Sequence, residues 1–208
     1  CRWYGPILTG IDPRTETTFV DIAFFAGKGG SGASLGCDGW DHLGLLRNAG
    51  GVASQDIEFL ESQDPIRVEA NELVTDSGGP GKWRGGLGVK SEWISYAKNA
   101  SVVVYGETLV PSGLQGGLSP NLKSFGKIID PSGRVTQTAD FGIYPIKPGT
   151  KLKWFVTGGG GFGNPRERSP EQVKRDLDNQ KIGLRTARKY YRFRSIRSYK
   201  NERKKSKS

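Results

Sequence analysis

The sequence predicts an α+β protein: a β-rich domain with many glycine turns, followed by a C-terminal helical segment and a basic tail. Glycine accounts for 31 of the 208 residues, well above its usual share of about 7%. Aromatic residues stay at 10%, so the glycines belong to a chain that can build a core. They therefore indicate tight turns and close backbone approach rather than low-complexity sequence.

Six segments are predicted to be strands because they cluster or alternate β-forming residues and end at glycine or proline turns. These segments are residues 19–25, 66–74, 88–96, 101–105, 124–129 and 151–157. The first has a buried character and runs directly into the glycine-rich stretch Gly27–Gly32. Successive short strands between turns favour a β-rich domain over residues 1–168.

The pattern changes to helical near the C-terminus. Ser169 is placed to cap a helix, with Pro170 at its first position and Gln172 completing a capping box. A helix over residues 170–180 is predicted, and a second over Leu184–Tyr191. We assign residues 169–191 to a helical segment and 192–208 to a basic tail.

Charge is concentrated in that tail. The chain has a formal net charge of +10, and residues 181–208 contain twelve Lys or Arg against one Glu. The preceding residues are nearly neutral, which makes nucleic acid an unlikely partner of the domain itself. The tail is predicted to be disordered or to fold on a partner. No apolar run approaches the roughly 20 residues that span a membrane, and the cytoplasm is the expected location.

Two glycine-rich stretches match the sequence pattern of a dinucleotide-binding loop but lack the helix that must follow it. That pattern needs a helix to open at once, so that its N–H groups meet the pyrophosphate. Gly27–Gly32 leads instead into a turn-rich stretch, and Gly158–Gly163 is followed by Asn164–Pro165. A nicotinamide or flavin site is therefore disfavoured.

Residues 37–42 hold four side chains that can bind metals: Cys37, Asp38, Asp41 and His42. Zinc sites usually have paired ligands from two places, and the chain has no second cluster. We therefore assign no metal to this chain. We prefer a turn at Asp38–Gly39 with His42 as a partly buried polar residue, or a contribution of one or two of these groups to a site shared with another chain. Cys1, which stands first in a sequence without Met, is either an N-terminal nucleophile or simply the start of a piece of a longer chain; we favour the second.

The strongest local signal is the loop from Asp76 to Gly88, in which Lys82 and Arg84 lie between glycine turns. Asp76 starts a turn by bonding to its own backbone. Packed in this way, the two cations could be directed at an anion or a carboxylate. The alternative, favoured by composition, is a structural loop with solvent-facing cations. We name Lys82, Arg84 and Asp76 as candidate catalytic residues.

Four segments resemble the hydantoinase B/oxoprolinase family. They are Val74–Gly88, with the Asp-Ser-Gly-Gly signature; Gly158–Val173, a glycine run followed by an aromatic, Gly-Asn-Pro and a helix start; Ile182–Tyr191; and, more weakly, Ala23–Asp41. Their order and spacing cover nearly the whole chain to Tyr191. One departure is at Gly32–Cys37, where hydantoin-cleaving members usually carry an Arg, and it puts hydantoin specificity in doubt.

The resemblance implies a C-terminal part of a B-type subunit. Its implied partners are a hydantoinase A-like ATP-binding subunit and the N-terminal part of the B-type subunit. ATP and Mg²⁺ would act through the partner, and a transition metal through the N-terminal part. Implied substrates are hydantoins, 5-oxoproline-like lactams or ketones, activated through phosphorylated intermediates.

Two alternatives remain open. The first is a ketone carboxylase subunit specifically. The second is a non-catalytic scaffold whose tail docks an acidic partner or nucleic acid, in which case deleting residues 193–208 would remove the function.

Overall fold

The computed structural model describes residues 4–23, 25–43 and 56–193. The strands are β1 (Tyr4–Ile11), β2 (Thr18–Asp21), β3 (Ile66–Leu73), β4 (Val89–Ser95), β5 (Lys98–Gly106), β6 (Phe125–Ile129), β7 (Val135–Gln137), β8 (Phe141–Ile146) and β9 (Thr150–Val156). The α-helices are α1 (Ile57–Gln63), α2 (Pro170–Asp178) and α3 (Leu184–Tyr190), and a short 3-10 helix covers Pro165–Glu167. The predicted α+β class is confirmed.

The strands form two antiparallel sheets. The first has the order β2-β1-β5-β8, and the second has the order β3-β4-β9-β6-β7. In both sheets, successive side chains along a strand point alternately to the core and to solvent, so every second residue is buried on the inner face. In β5, Val102 and Val104 are buried while Tyr105 is exposed. In β9, Leu152 and Trp154 are buried between half-exposed lysines.

The core lies between the two sheets. Tyr4 of the first sheet stacks on Trp154 of the second, with ring centroids 5.3 Å apart. The Trp154 Nε1–H donates to the backbone oxygen of Tyr4 at 2.9 Å, and the Tyr4 hydroxyl is 2.6 Å from Thr138 Oγ1. These contacts give the buried aromatic side chains hydrogen-bond partners, as buried Tyr and Trp require.

The C-terminal helices begin as the sequence predicts. Ser169 caps α2, accepting from the Gln172 N–H, while the Gln172 side chain accepts from the Ser169 N–H. Helix α3 covers Leu184–Tyr190. Val173, Ile182, Ala187 and Tyr191 form a small second core where the two helices meet.

Some elements differ from the sequence predictions. The strand predicted over residues 19–25 is shorter, because β2 ends at Asp21, while Ala23 and Phe25 are buried outside it. Strand β1 was not predicted, since Gly5, Pro6 and Gly10 give it the composition of a turn. Pro6 is tolerated because β2 pairs only with Leu8–Ile11, so that Pro6 faces a partner strand on one side alone.

Three further elements, β7, β8 and α1, were also not predicted. Helix α1 is seven residues long and begins at the cap Asp56, whose side chain accepts from Glu58 and Phe59 N–H groups. Among the described residues, no helix is long and apolar enough to cross a membrane. Cys1 and nearly all of the tail lie outside the described residues.

Candidate functional site

Four glycine-rich segments pack against one another at one end of the sandwich, and we call them the glycine module: residues 27–43, 76–88, 112–118 and 158–163. Their contacts are backbone to backbone. A Cβ added at Gly159 would overlap the Ser31 carbonyl, and one added at Gly85 would overlap the Gly159 carbonyl. Glycine is required at these positions because no side chain fits between the segments.

Most N–H groups of the loop 76–88 donate within the chain, and half of them donate to another segment of the module. Gly79 donates to Gly159 O at 2.8 Å, and Gly86 donates to Ser31 O at 2.9 Å. The N–H groups of Arg84 and Leu87 donate to Asp38 and Asp41 carboxylates, each at 2.7 Å. These donors hold the loop together and are occupied within the chain. The loop therefore offers a fixed shape more than a set of free oxyanion donors.

Lys82 lies at the surface of the module. Its side chain is 41% exposed, its Nζ is 3.3 Å from Glu167 Oε2, and it lies 5.2 Å from the centroid of the Trp83 ring. Trp83 in turn bridges to Phe162 through paired backbone hydrogen bonds. The predicted solvent-facing cation is thus found at Lys82, on a rigid base.

Arg84 is almost fully buried, with 1% of its surface exposed, so the solvent-facing alternative is wrong for this residue. Its Nη1 donates to the Gly85 carbonyl and lies 3.7 Å from Asp41 Oδ1. Its Nε lies 3.8 Å from Asp176 Oδ1 in α2. The loop directs this cation at carboxylates of its own chain.

Arg168 completes the cluster and was missed in the sequence. Its guanidinium makes two 2.7 Å hydrogen bonds to the Asp38 carboxylate and a 2.9 Å bond from Nε to Asp176. It also donates to the Lys82 carbonyl at 2.9 Å. The signal that could have found it is Asp176, an acidic residue three positions after Val173 on the apolar side of a helix. We call Arg84, Arg168, Asp38, Asp41 and Asp176 the Arg–Asp cluster.

The pKa values of two carboxylates of this cluster, Asp38 and Asp176, are shifted in opposite directions. Burial alone raises the pKa of Asp38, but the hydrogen bonds and charge of Arg168 outweigh it and hold the pKa below its usual range. For Asp176, burial outweighs the attraction of Arg168 and Arg84 and raises the pKa. Two arginines among three close aspartates keep the Asp38 charge in place inside the protein.

The loop is also tied to the helical segment. Asp76, which has a positive φ of 65°, accepts from the Gly183 N–H at 2.8 Å, and its own N–H donates to the Lys181 carbonyl. Lys181 Nζ is 2.8 Å from Asp41 Oδ2. Asp76 is therefore a docking residue between the loop and the start of α3.

The residues proposed from the sequence as metal ligands have other contacts. Asp38 binds Arg168 and Asp41 binds Lys181, while Cys37 is exposed. The observed turn is centred on Leu35–Gly36, three residues before the turn predicted at Asp38–Gly39. Within residues 4–23, 25–43 and 56–193, no group of three or more His, Cys, Asp or Glu is arranged to hold a metal ion.

His42 has a positive φ of 50° and lies near the buried Lys28. Burial lowers the pKa of His42, and the Lys28 charge lowers it further, against a smaller opposing effect of a backbone contact with Phe25. The imidazole is therefore held neutral. The sequence prediction of a partly buried polar residue describes it.

Comparison with known proteins places this arrangement in a family. The family model for hydantoinase B/oxoprolinase matches residues 4–165. The caprolactamase subunit beta of Pseudomonas jessenii is 31% identical over 193 residues, which are 90% of this chain and 33% of that protein. The 5-oxoprolinase of Dictyostelium discoideum is 29% identical over 137 residues, 65% of this chain and 10% of that protein. The acetone carboxylase alpha subunit of Xanthobacter autotrophicus is 26% identical over 205 residues, 81% of this chain and 26% of that protein.

The fold agrees. The solved structure of the ATP-dependent caprolactamase from Pseudomonas jessenii superposes with a TM-score of 0.77 at 28% identity, covering 91% of this chain and 34% of that chain. The chain belongs to the hydantoinase B/oxoprolinase family, and the resemblance drawn from its sequence is confirmed. It spans about a third, or less, of the length of these relatives. The catalytic roles of Lys82, Arg84 and Asp76 stay predictions.

Proposed function

We propose that this chain is the C-terminal part of a B-type subunit in an ATP-dependent complex that hydrolyses a cyclic amide. The single observation that carries the proposal is the fold match to the ATP-dependent caprolactamase over 91% of the chain. The geometry of the glycine module agrees with a supporting role. Most of its backbone donors and the carboxylates of the Arg–Asp cluster are occupied within the chain, which agrees with chemistry that other polypeptides complete.

The part that the chain plays in the reaction is to hold a shape. A lactam is a stable amide, and opening it requires stabilisation of negative charge that develops on oxygen. Lys82 is the candidate that can reach a neighbouring anion, since its ammonium lies at the surface on the Trp83–Phe162 base. Arg84 and Asp76 act as positioning residues, because they hold the loop on α2 and α3.

The nucleotide would be supplied by a hydantoinase A-like subunit, with Mg²⁺ bound there, and such a complex would work in the cytoplasm. The carboxylates of Asp38 and Asp41 do not fit a metal site, because Arg168 and Lys181 already occupy them. We therefore derive no step through a metal in this chain.

The second candidate is an ATP-dependent ketone carboxylase subunit. The match to the acetone carboxylase alpha subunit supports it, since that match covers 81% of this chain. Its identity is 26%, compared with 31% for the caprolactamase subunit beta. We place the amide-hydrolysing function first for that reason. Assays of the purified complex with ATP and either caprolactam, 5-oxoproline, or acetone with bicarbonate separate the two.

The experiment that tests the proposal uses the native complex, purified through a tag on this chain. We expect amide hydrolysis that requires ATP, and a bound companion of the hydantoinase A type. A companion unable to bind nucleotide, or full activity of the isolated 208-residue chain, would contradict the proposal.

Within that complex, Lys82→Ala should lower turnover by about tenfold, equivalent to about 1.4 kcal/mol of lost charge stabilisation, while assembly persists. Lys127→Ala is the matched control, because Lys127 also lies over an aromatic ring, 5.4 Å from the Phe125 centroid, but on a sheet face. Equal turnover of both variants would show that Lys82 has no catalytic role and that the loop is structural.

A further inference from the structure

The first sheet presents an apolar outer face to solvent. Directly opposed residues of neighbouring strands lie on the same side of a sheet. Tyr105 pairs with Phe141, and Val103 pairs with both Ile7 and Ile143. Four side chains on this side are more than half exposed: Val20 at 67%, Tyr105 at 56%, Phe141 at 66% and Ile143 at 70%. We call Ile7, Val20, Val103, Tyr105, Phe141 and Ile143 the outer face.

The second sheet faces solvent in a different way. Its outward positions carry a ladder of opposite charges, in which Glu92 lies 3.1 Å from Lys90 and 3.1 Å from Lys153. Lys151 reaches the same carboxylate at 3.5 Å. This is the ordinary composition of a sheet face in water. The same chain therefore builds one sheet with a charged outer face and one with an apolar outer face.

The outer face is too apolar for a surface left in water. Tyr105 and Phe141 pack edge to face, with ring centroids 5.3 Å apart, so they already form a continuous apolar platform. Contiguous exposed patches of more than a few hundred Å² usually mark an interaction site. A flat face of aromatic and β-branched residues without charges resembles half of a domain core, and such faces are covered permanently.

The family comparison indicates what covers it. The caprolactamase chain superposes on 91% of this one, yet 66% of that solved chain lies outside the match. A remainder of that size in the same chain is a candidate to pack on the matched third, and the apolar outer face is the surface suited to it. We propose that the outer face is covered, in the working protein, by polypeptide equivalent to the unmatched two thirds of a B-type subunit. This inference rests on the proposed function, whose partner surface it names.

The test uses the native assembly purified through a tag on this chain, with bound polypeptides identified by mass spectrometry. Hydroxyl-radical footprinting then compares Tyr105 and Phe141 in the assembly with the same residues in the isolated 208-residue chain. We expect severalfold protection in the assembly, together with polypeptide that carries the N-terminal B-type sequence. The footprint works whether the two parts are one polypeptide or two.

A charge introduced on the outer face should weaken its contact with the covering polypeptide and leave the face exposed to solvent. Ile143→Glu should restore labelling of Tyr105 and lower retention of the companion polypeptide by about tenfold, since burying an unpaired carboxylate is costly. Val135→Glu is the control, because Val135 is an exposed β-branched residue (56%) of the second sheet. Unchanged circular dichroism of the isolated Ile143→Glu chain verifies that it folds.

Three outcomes overturn the proposal: labelling that is equal in assembly and isolated chain, a second copy of this chain seated on the face, or a covering protein of another class. Failure of the proposed function is read separately. If the outer face is protected in an assembly without ATP-dependent turnover, this inference stands and the proposed function fails. If the assembly turns over substrate while the outer face stays exposed, the proposed function stands and this inference fails.

Discussion

Buried ionisable side chains explain the behaviour of this chain at the level of single residues. Burial, together with the smaller effect of the nearby Asp64 charge, raises the pKa of Asp21 to about 6. Among the described residues, its Oδ2 has no hydrogen-bond partner. A carboxyl group with a raised pKa destabilises the folded state once it ionises.

Asp21→Asn should therefore stabilise the protein in a pH-dependent way. Below pH 3.8 the carboxyl group is protonated in both states, so the substitution has little effect. As pH rises to 6 the unfolded state ionises first, the native protein loses stability, and the loss persists above pH 6. We expect a gain in melting temperature of about 2–4 °C at pH 8. Thermal unfolding at pH 3.5 and pH 8 measures it; equal gains would exclude the carboxylate charge as the cause.

Arg168 has the opposite effect on stability, because its buried cation binds the carboxylates of the buried Asp176 and the half-buried Asp38. Arg168→Met should remove the guanidinium hydrogen bonds to Asp38 and Asp176 and cost about 3–5 kcal/mol, which lowers the melting temperature by on the order of 10 °C. Arg166→Met, at an exposed position two residues earlier, is the control. Similar melting temperatures for both variants would show that the cluster does not hold the helices to the glycine module.

At the scale of elements, the glycine module is stabilised by the absence of side chains, which lets backbone segments contact each other directly. Gly159→Ala should prevent folding or destabilise it severely, since its Cβ would overlap the Ser31 carbonyl. Gly32 is a matched control in the same module, because the nearest atom to its added Cβ is 3.9 Å away. Gly32→Ala should be neutral, or stabilising by about 0.4–1 kcal/mol. Chemical denaturation compares them, and equal losses would refute backbone packing as the cause.

The sequence predicted the elements whose side chains carry a local pattern. Strands β4 and β9 alternate clearly, and the capping box before α2 is a local signal, so these are found where expected. Strand β1 was missed because Pro6 is permitted only by the short length of β2, a property of its neighbour. Arg84 was placed at the surface for the same reason: its carboxylate partners Asp41 and Asp176 are 43 and 92 positions away.

At the scale of the whole molecule, the contribution of the basic tail can be tested by truncation. The packed helical core includes Phe193, so a truncation has to keep that residue. Residues 194–208 contain seven Lys or Arg and one Glu, and removing them lowers the formal net charge from +10 to +4.

A chain that ends at Phe193 should keep its melting temperature and, in the assembled complex, most of its ATP-dependent turnover. Activity assays at several salt concentrations measure this, since a tail that binds phosphates would steepen the salt dependence. Loss of turnover on truncation would support the alternative in which the tail docks an acidic partner or nucleic acid.

The interlocked glycines also have a consequence for the order in which the molecule forms. The Gly86 N–H donates to Ser31 O, the Gly159 N–H to Gly86 O, and the Gly161 N–H to Leu118 O. The segment that contains Ser31 can therefore complete its contacts only after more than 120 further residues have been synthesised. Contacts at such separation form slowly. The second sheet needs β9, which is synthesised only just before Gly158–Gly163, so this sheet and the glycine module should be completed in the same late step of folding.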